Sequence, residues 1–136
     1  MGVKRIDHIA IVVQDVDEAL TVYRDVLGLP VQLITEEPAE KVKIAFMPMP
    51  EGNSEIELIE PTTDNSGVAK YLAKRGEGMH HVCVEVDDIE STVADLEAKN
   101  LEVLGEVRSN VRGDRYIFVH PKSSHGVLIE LYEKGF

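Results

Sequence analysis

The stretch that decides the fold is Met79-His80-His81-Val82-Cys83-Val84-Glu85-Val86-Asp87-Asp88, because the chain carries an earlier copy of it. That copy is Ile6-Asp7-His8-Ile9-Ala10-Ile11-Val12-Val13-Gln14-Asp15. A shift of 73 positions places His8 on His81 and, without a gap, Glu57 on Glu130. Two histidines and two glutamates therefore occupy equivalent places in two halves, which suggests a metal site divided across a duplication.

The length and composition of the chain are typical of one globular domain. A chain of 136 residues can build one core but not two ordinary domains. Its 43% hydrophobic and 29% charged residues are ordinary values, and no low-complexity tract interrupts them. We therefore expect a single domain over residues 1–136, in which both halves share a core.

Several classes of partner and location are disfavoured. A net charge of -11 argues against nucleic acid, because phosphate contacts need a basic face. The longest apolar run, residues 9–13, is far shorter than the roughly 20 residues that span a bilayer. The N-terminus lacks the pattern of a secretory signal, and the single cysteine, Cys83, fits a reducing compartment. We expect a cytoplasmic protein without membrane contact.

The first half has the pattern of a strand, a helix and three strands. Residues 6–13 alternate as a strand buried on both faces, with His8 on the face of the smaller residues. Asp15 is placed to cap a helix over residues 16–27, and Gly28 to end it in a left-handed conformation. Strands are expected at residues 30–34, 42–47 and 55–60.

The second half repeats this order. His81 lies in a predicted strand, and Asp88 after this strand is placed to cap a helix that runs through Lys99. Asn100 is expected to end this helix in a left-handed conformation. Strands are expected at residues 103–108, 115–120 and 126–132. A connector helix closes at Gly76. The predicted organisation is therefore module one over about 4–61, the connector over about 64–76 and module two over about 78–133.

The four repeated residues predict a metal site on chemical grounds. Imidazole nitrogens and carboxylate oxygens suit a divalent ion of intermediate hardness. Glu57 and Glu130 each lie in an apolar strand, where burying a carboxylate without a partner costs several kcal/mol. A cation or a strong donor is therefore expected beside each, although a single buried histidine is more often a packed residue.

The other histidines and the cysteine carry weaker signals. His80 faces the opposite side of its strand from His81, and His120 aligns with Met47 under the shift. His125 lies in a predicted turn. Cys83 shares the face of His81 but is expected to be a small core residue without a catalytic role.

These residues resemble the vicinal oxygen chelate superfamily of glyoxalases, bleomycin resistance proteins and dioxygenases. The paired-histidine stretch and His120-Pro121-Lys122-Ser123, which leads to the strand of Glu130, resemble its methylmalonyl-CoA epimerase group. The resemblance implies an α+β fold in which two tandem βαβββ modules form a cupped, barrel-like mixed sheet. It also implies a homodimer.

The resemblance further implies one divalent metal, with His8, Glu57, His81 and Glu130 as ligands. Cobalt is the first expectation, and manganese, nickel or zinc are the alternatives. Relatives often have glutamine at the place of Glu57, and some have a second glutamate on the preceding strand. Here that strand, residues 42–46, offers no carboxylate, so the second base is not identified.

The function implied by the resemblance is an isomerase of propionate metabolism. It would interconvert (R)- and (S)-methylmalonyl-CoA by abstracting the α-proton through a metal-stabilised enediolate. Glu130 is the first candidate for proton transfer and Glu57 its partner. Lys122 or Arg112 would meet the phosphates or the carboxylate of the acyl-CoA. The alternatives are a glyoxalase I-type lactoylglutathione lyase and a non-catalytic small-molecule-binding protein of the same fold.

Overall fold

The computed structural model describes residues 2–135, which divide into two compact units. The N-terminal unit comprises residues 8–80. The C-terminal unit comprises the described residues up to Asp7 together with those from His81 onward. The first strand crosses this division, since it runs through both Asp7 and His8. The expectation of a single domain with one shared core stays a prediction.

The N-terminal unit has the predicted order of one strand, one helix, three strands and the connector helix. Its elements are β1 (Val3–Val12, of which residues 8–12 belong here), α1 (Val16–Tyr23), β2 (Leu33–Glu37), β3 (Val42–Pro48), β4 (Glu55–Pro61) and α2 (Gly67–Arg75). β1 is parallel to β4, and β4, β3 and β2 pair antiparallel in turn. The strand order within this unit is therefore β2-β3-β4-β1.

Both faces of β1 are packed in this unit, with Ala10 and Val12 buried on one face and Ile11 half-buried on the other. Ala10 and Val12 pack with Phe46 on the face that α2 covers through Val68. The opposite face packs against α1, whose Val16 and Leu20 contact the side of the sheet formed by Val13, Met47 and Leu58. His8 thus lies on a strand whose backbone is fixed by packing on two sides.

The C-terminal unit repeats this arrangement. Its further elements are β5 (Gly78–Val86, of which residues 81–86 belong here), α3 (Ile89–Ala98), β6 (Val103–Ser109), β7 (Arg115–Val119), a short 3-10 helix (Pro121–Ser123) and β8 (Ile129–Glu133). β5 is parallel to β8, and β8, β7 and β6 pair antiparallel. α3 packs through Ile89 on Val86, Ile117 and Leu131. The other face of this four-stranded sheet carries His81 and Glu130.

The helices α1 and α3 begin at matching pairs of carboxylates. Asp15 and Asp88 are the predicted N-caps, and their side chains accept the N–H groups of Glu18 and Ser91. A second acceptor is added at each helix start: Glu60 accepts the N–H of Val16 at 2.8 Å, and Glu133 accepts that of Ile89 at 3.2 Å. All four carboxylates obey the same shift of 73 positions, so the duplication extends to the hydrogen bonds at the helix ends.

The predicted end of α1 is wrong. The helix ends at Tyr23 rather than Leu27, because the N–H of Asp25 bonds to the carbonyl of Leu20 and that of Leu27 to the carbonyl of Val22. These bonds span five residues, which widens the last turn beyond α-helical geometry. Gly28 does adopt the predicted left-handed conformation, with φ 78°.

Two predicted strands are displaced along the chain. β2 covers Leu33–Glu37 instead of residues 30–34, since the polar residues of this edge strand pair with β3. β8 starts at Ile129 rather than at residue 126, because the preceding segment forms the 3-10 helix and a turn with His125 at φ 59°. β7 ends at Val119, one residue before the predicted end. Among residues 2–135, no helix is long and apolar enough to cross a membrane.

Candidate active site

The N-terminal unit brings His8 and Glu57 together. His8 lies on β1 and Glu57 on the neighbouring parallel strand β4, where Glu57 is level with Ala10. Nδ1 of His8 is 3.0 Å from Oε2 of Glu57. The two residues are 4% and 7% exposed, so this pair is almost entirely withdrawn from water.

The C-terminal unit builds the same pair from His81 and Glu130. Glu130 on β8 is level with Cys83 on β5, which is the register of Ala10 and Glu57 moved by 73 positions. Nε2 of His81 is 3.0 Å from Oε1 of Glu130, and both residues are buried. The two halves therefore share the residue types of the pair, the strand register and the histidine–glutamate contact. They differ in the imidazole nitrogen that approaches the carboxylate, which is Nδ1 in His8 and Nε2 in His81.

The donor chemistry of these residues fits a divalent metal ion. Each pair offers an imidazole nitrogen and a carboxylate oxygen, the combination that transition metals accept. A buried carboxylate requires a compensating positive charge or strong donors, and two such carboxylates are well suited to a doubly charged ion.

The surroundings of the His8 pair are apolar on the side of β3, whereas on β4 the carboxylate of Glu55 lies within 4.8 Å of that of Glu57. Phe46 on β3 lies directly opposite Glu57, and Ile44 lies two residues further along the same face. Within β3, which the structure describes in full, the buried face therefore offers no second carboxylate. This agrees with the sequence, which lacks an acidic residue between Val42 and Phe46.

The surroundings of the His81 pair are aromatic. Phe118 on β7 lies directly opposite Glu130, and its ring meets that of His81 edge to face, with centroids 5.1 Å apart. The ring of Tyr116, two residues earlier in β7, also lies edge to face with the ring of Phe118, with centroids 6.0 Å apart. Cys83 is fully buried, as expected for a core residue.

The sequence reasoning missed Phe118 and Tyr116. Their alternation within residues 115–119 does indicate that they share one face of a strand. The sequence does not give the register of β7 against β8, and only that register places Phe118 beside Glu130.

A second polar network lies beyond the His81 pair on the same sheet. Nε of Arg5 donates to Glu85 at 2.7 Å, and Nη2 of the same guanidinium donates to Asp7 at 2.7 Å. The hydroxyl of Tyr132 donates to Asp114. Burial, together with this hydrogen bond, raises the pKa of Tyr132 far above its usual value. These groups satisfy one another and make a rigid polar end to the sheet.

The remaining candidates occupy more exposed positions. Lys122 lies in the 3-10 helix, where its N–H donates to Nδ1 of His120. Arg112 lies in the turn between β6 and β7. His80 meets the ring of Tyr71 edge to face on the N-terminal unit, and His125 is exposed. The substrate contacts predicted for Lys122 and Arg112 stay predictions.

The chain is similar to known proteins over most of its length. Residues 7–118 match the Glyoxalase/Bleomycin resistance protein/Dioxygenase superfamily. Mitochondrial methylmalonyl-CoA epimerase of Mus musculus is 40% identical over 129 residues, which are 93% of this chain and 71% of that protein. Lactoylglutathione lyase of Haemophilus influenzae is 33% identical over 128 residues, covering 93% and 90% respectively.

The solved structures give the same result for the fold. A variant of Streptomyces coelicolor methylmalonyl-CoA epimerase, in complex with 2-nitronate-propionyl-CoA, superimposes with a TM-score of 0.90 at 37% identity. The match covers 98% of this chain and 99% of that one. The predicted fold class, α+β with two tandem βαβββ modules, is confirmed.

Proposed function

The chain belongs to the glyoxalase/bleomycin resistance protein/dioxygenase superfamily, and we propose that it is a metal-dependent enzyme that interconverts (R)- and (S)-methylmalonyl-CoA. The enzyme class predicted from the sequence, an isomerase of the epimerase type, is confirmed by the relatives. The observation that carries the proposal for the reaction is the pair of buried His–Glu contacts, at 3.0 Å each and related by one shift of the sequence.

His8, Glu57, His81 and Glu130 would hold one divalent ion together. Cobalt is the ion we propose first, with manganese, nickel or zinc as alternatives that the same nitrogen and oxygen donors accept. When bound, such an ion supplies a Lewis acid that stabilises the negative charge left on the substrate oxygens as the α-proton departs.

Epimerisation requires a proton to leave one face of the α-carbon and return to the other. Two bases are the simplest means, and each unit contributes one buried carboxylate that is paired with a histidine. We assign proton removal to Glu130 and the opposing role to Glu57, since β3 contributes only apolar residues beside Glu57. No redox change accompanies this proton movement, so the residues need only bind, orient and exchange a proton.

Apolar and aromatic neighbours support this role for the carboxylates. Phe46 and Phe118 lie opposite Glu57 and Glu130 and limit the access of water to them.

The proposal also covers the substrate contacts, the oligomeric state and the cellular location. Lys122 and Arg112 are the proposed contacts for the phosphates or the carboxylate of the acyl-CoA. We also propose a homodimer, as the family resemblance implies, and a cytoplasmic location, which a buried free cysteine fits.

Exchange of the substrate α-proton tests the proposal directly. The purified protein is loaded with each candidate ion and incubated with (S)-methylmalonyl-CoA in deuterium oxide. We expect deuterium to enter the α-carbon and both epimers to form, and we expect chelation to stop both. The proposal is wrong if the metal-loaded protein leaves the label and the configuration of the substrate unchanged.

The rival reaction is that of a lactoylglutathione lyase, which the Haemophilus influenzae relative supports. The same metal-loaded preparation is therefore given methylglyoxal with glutathione. Formation of lactoylglutathione without epimerisation of methylmalonyl-CoA would favour the lyase over our proposal. Both activities proceed through removal of a proton next to a carbonyl group, so only a side-by-side measurement separates them.

A further inference from the structure

The imidazole of His120 is held by one hydrogen bond and presents its second nitrogen to the surroundings. Nδ1 of His120 accepts the N–H of Lys122 at 3.0 Å. In the neutral ring the proton therefore lies on Nε2, which makes this atom a hydrogen-bond donor. No acceptor within residues 2–135 bonds Nε2, and this atom is not sealed from solvent. His120 thus offers an oriented N–H group to a ligand.

The strand register places His120 on the face that carries the His81–Glu130 pair. Phe118 in β7 lies opposite Glu130 and meets the ring of His81 on this face. Alternate residues of a strand share a face, so His120 lies on the same side, two residues further along. The N–H of His120 bonds the carbonyl of Glu102 at 2.9 Å, so the pairing of β7 with its neighbour continues to this residue.

His120 is also level with His81 across the sheet. Val82 of β5 and Val119 of β7 lie opposite the same residue of β8. One position further, His81, Leu128 and His120 therefore lie side by side. Neighbouring strands are roughly 5 Å apart, so the backbones of the two histidines are separated by about 10 Å, with the side chain of Leu128 between them. A small acyl group fits between two imidazoles at this separation.

Burial along this face shows which end is accessible. Tyr116 and Tyr132 lie level with each other on one side of Glu130, and both are buried. Leu128 and His120, on the other side of Glu130, are half-buried. The accessible end of this face is therefore the end that His120 lines, and a substrate that reaches Glu130 from there meets His120.

The equivalent place in the N-terminal unit lacks this donor. Phe46 corresponds to Phe118, since each lies opposite the glutamate of its unit. Two residues after Phe46 is Pro48, whose side chain has no N–H group. The ungapped shift of 73 positions conceals this correspondence, because the chain between the phenylalanine and the glutamate is one residue longer in the second half. The donor thus belongs to the half that carries Glu130, to which we assign removal of the proton.

We propose that Nε2 of His120 donates a hydrogen bond to an oxygen of the acyl group of the substrate. The inference rests on the proposed function and adds a catalytic residue to it. Departure of the α-proton leaves negative charge on the thioester oxygen, and an oriented N–H group stabilises such charge. The carboxylate of the acyl group is an acceptor of the same kind.

Two variants separate this role from the contact with Lys122. His120→Asn keeps a side-chain oxygen that can accept the N–H of Lys122, as asparagine does at helix starts, but it is too short to replace Nε2. His120→Gln restores an N–H₂ group at about the reach of Nε2. The control is His125→Asn, because His125 is an exposed histidine of the same segment whose φ of 59° asparagine tolerates.

We expect His120→Asn to lower kcat/KM for epimerisation about 100-fold. His120→Gln should recover part of this loss, His125→Asn should match the wild type, and the melting temperatures of all three variants should equal that of the wild type. A wild-type kcat/KM in His120→Asn would overturn the proposal. A loss of activity that follows a fall in melting temperature would also overturn it, since it would show a structural role alone.

Binding measured by calorimetry identifies the oxygen. The thioester oxygen becomes charged only as the proton leaves, so a bond to it should lower kcat in His120→Asn and leave the Kd of methylmalonyl-CoA nearly unchanged. The carboxylate is charged from the start, so a bond to it should raise this Kd. In that case wild type and variant should bind propionyl-CoA, which lacks the carboxylate, equally well.

The wild type separates this inference from the function on which it rests. Failure of the metal-loaded wild type to bind or epimerise methylmalonyl-CoA would refute the proposed function itself. Epimerisation by the wild type that does not depend on residue 120 would refute only the role of His120.

Discussion

At the scale of single residues, the proposed chemistry depends on two glutamates that are buried beside two histidines. Glu57 and Glu130 were identified from the sequence because a carboxylate in an apolar strand demands a partner. The structure supplies an imidazole 3.0 Å away in each case. Phe118 was not identified, because its place beside Glu130 depends on a strand register that its neighbours in sequence do not reveal.

Replacement of the proposed base isolates its contribution. Glu130→Gln keeps the shape of the side chain and removes its basicity, so deuterium exchange at the substrate α-carbon should fall by at least about 100-fold. Circular dichroism should show an intact fold. The matched control is Glu106→Gln on β6, an exposed glutamate whose replacement should leave exchange unchanged. Exchange at the wild-type rate in Glu130→Gln would remove Glu130 from the mechanism.

Tyr132 should report on the polar end of the C-terminal sheet in alkali. Burial and the bond to Asp114 raise the pKa of its phenol, so the neutral form stabilises the folded state. This contribution is complete below the unfolded value of about 10 and declines as the pH rises above it. Absorbance at 295 nm should therefore show the same number of tyrosinates in wild type and Tyr132→Phe at about pH 11, while the fold persists. One extra tyrosinate in the folded wild type would contradict this.

At the scale of helices and strands, the sequence predicted the starts of α1 and α3 better than the end of α1 or the bounds of β2 and β8. Asp15 and Asp88 mark the starts of α1 and α3 because a side-chain acceptor must satisfy free N–H groups. The end of α1 depends on bonds from Asp25 and Leu27 to carbonyls five residues back, which no local signal announces. The bounds of β2 were predicted three residues too early, because an exposed edge strand lacks the apolar alternation of a buried one.

The two caps should contribute similarly to stability. Asp15→Ala and Asp88→Ala each remove one acceptor from a helix start, and we expect each to lower the free energy of unfolding by about 1 kcal/mol. Asp95→Ala is the control, since Asp95 is an exposed residue within α3 and alanine favours helix there. Urea denaturation followed by circular dichroism measures all three. A control variant as destabilised as the cap variants would show that the caps are not the cause.

At the scale of the whole molecule, the chain is a duplication whose halves have diverged around a preserved pair. The shift of 73 positions places Val12 on Glu85 and Ile59 on Tyr132. In the N-terminal unit these positions are apolar and lie in the cluster that α2 covers. In the C-terminal unit they are polar and bond Arg5 and Asp114. Both halves retain a His–Glu pair although its surroundings differ, which supports the proposal that the pairs carry the chemistry.

The central claim is that both pairs hold the same ion, and metal content measures it most directly. Protein purified without chelators is analysed by mass spectrometry as wild type, His8→Ala, His81→Ala and the exposed control His125→Ala. We expect one divalent ion per chain in wild type and control, and a loss of affinity of more than about 100-fold in both His8→Ala and His81→Ala. Full metal content in either of these two variants would contradict the claim that one ion needs both halves.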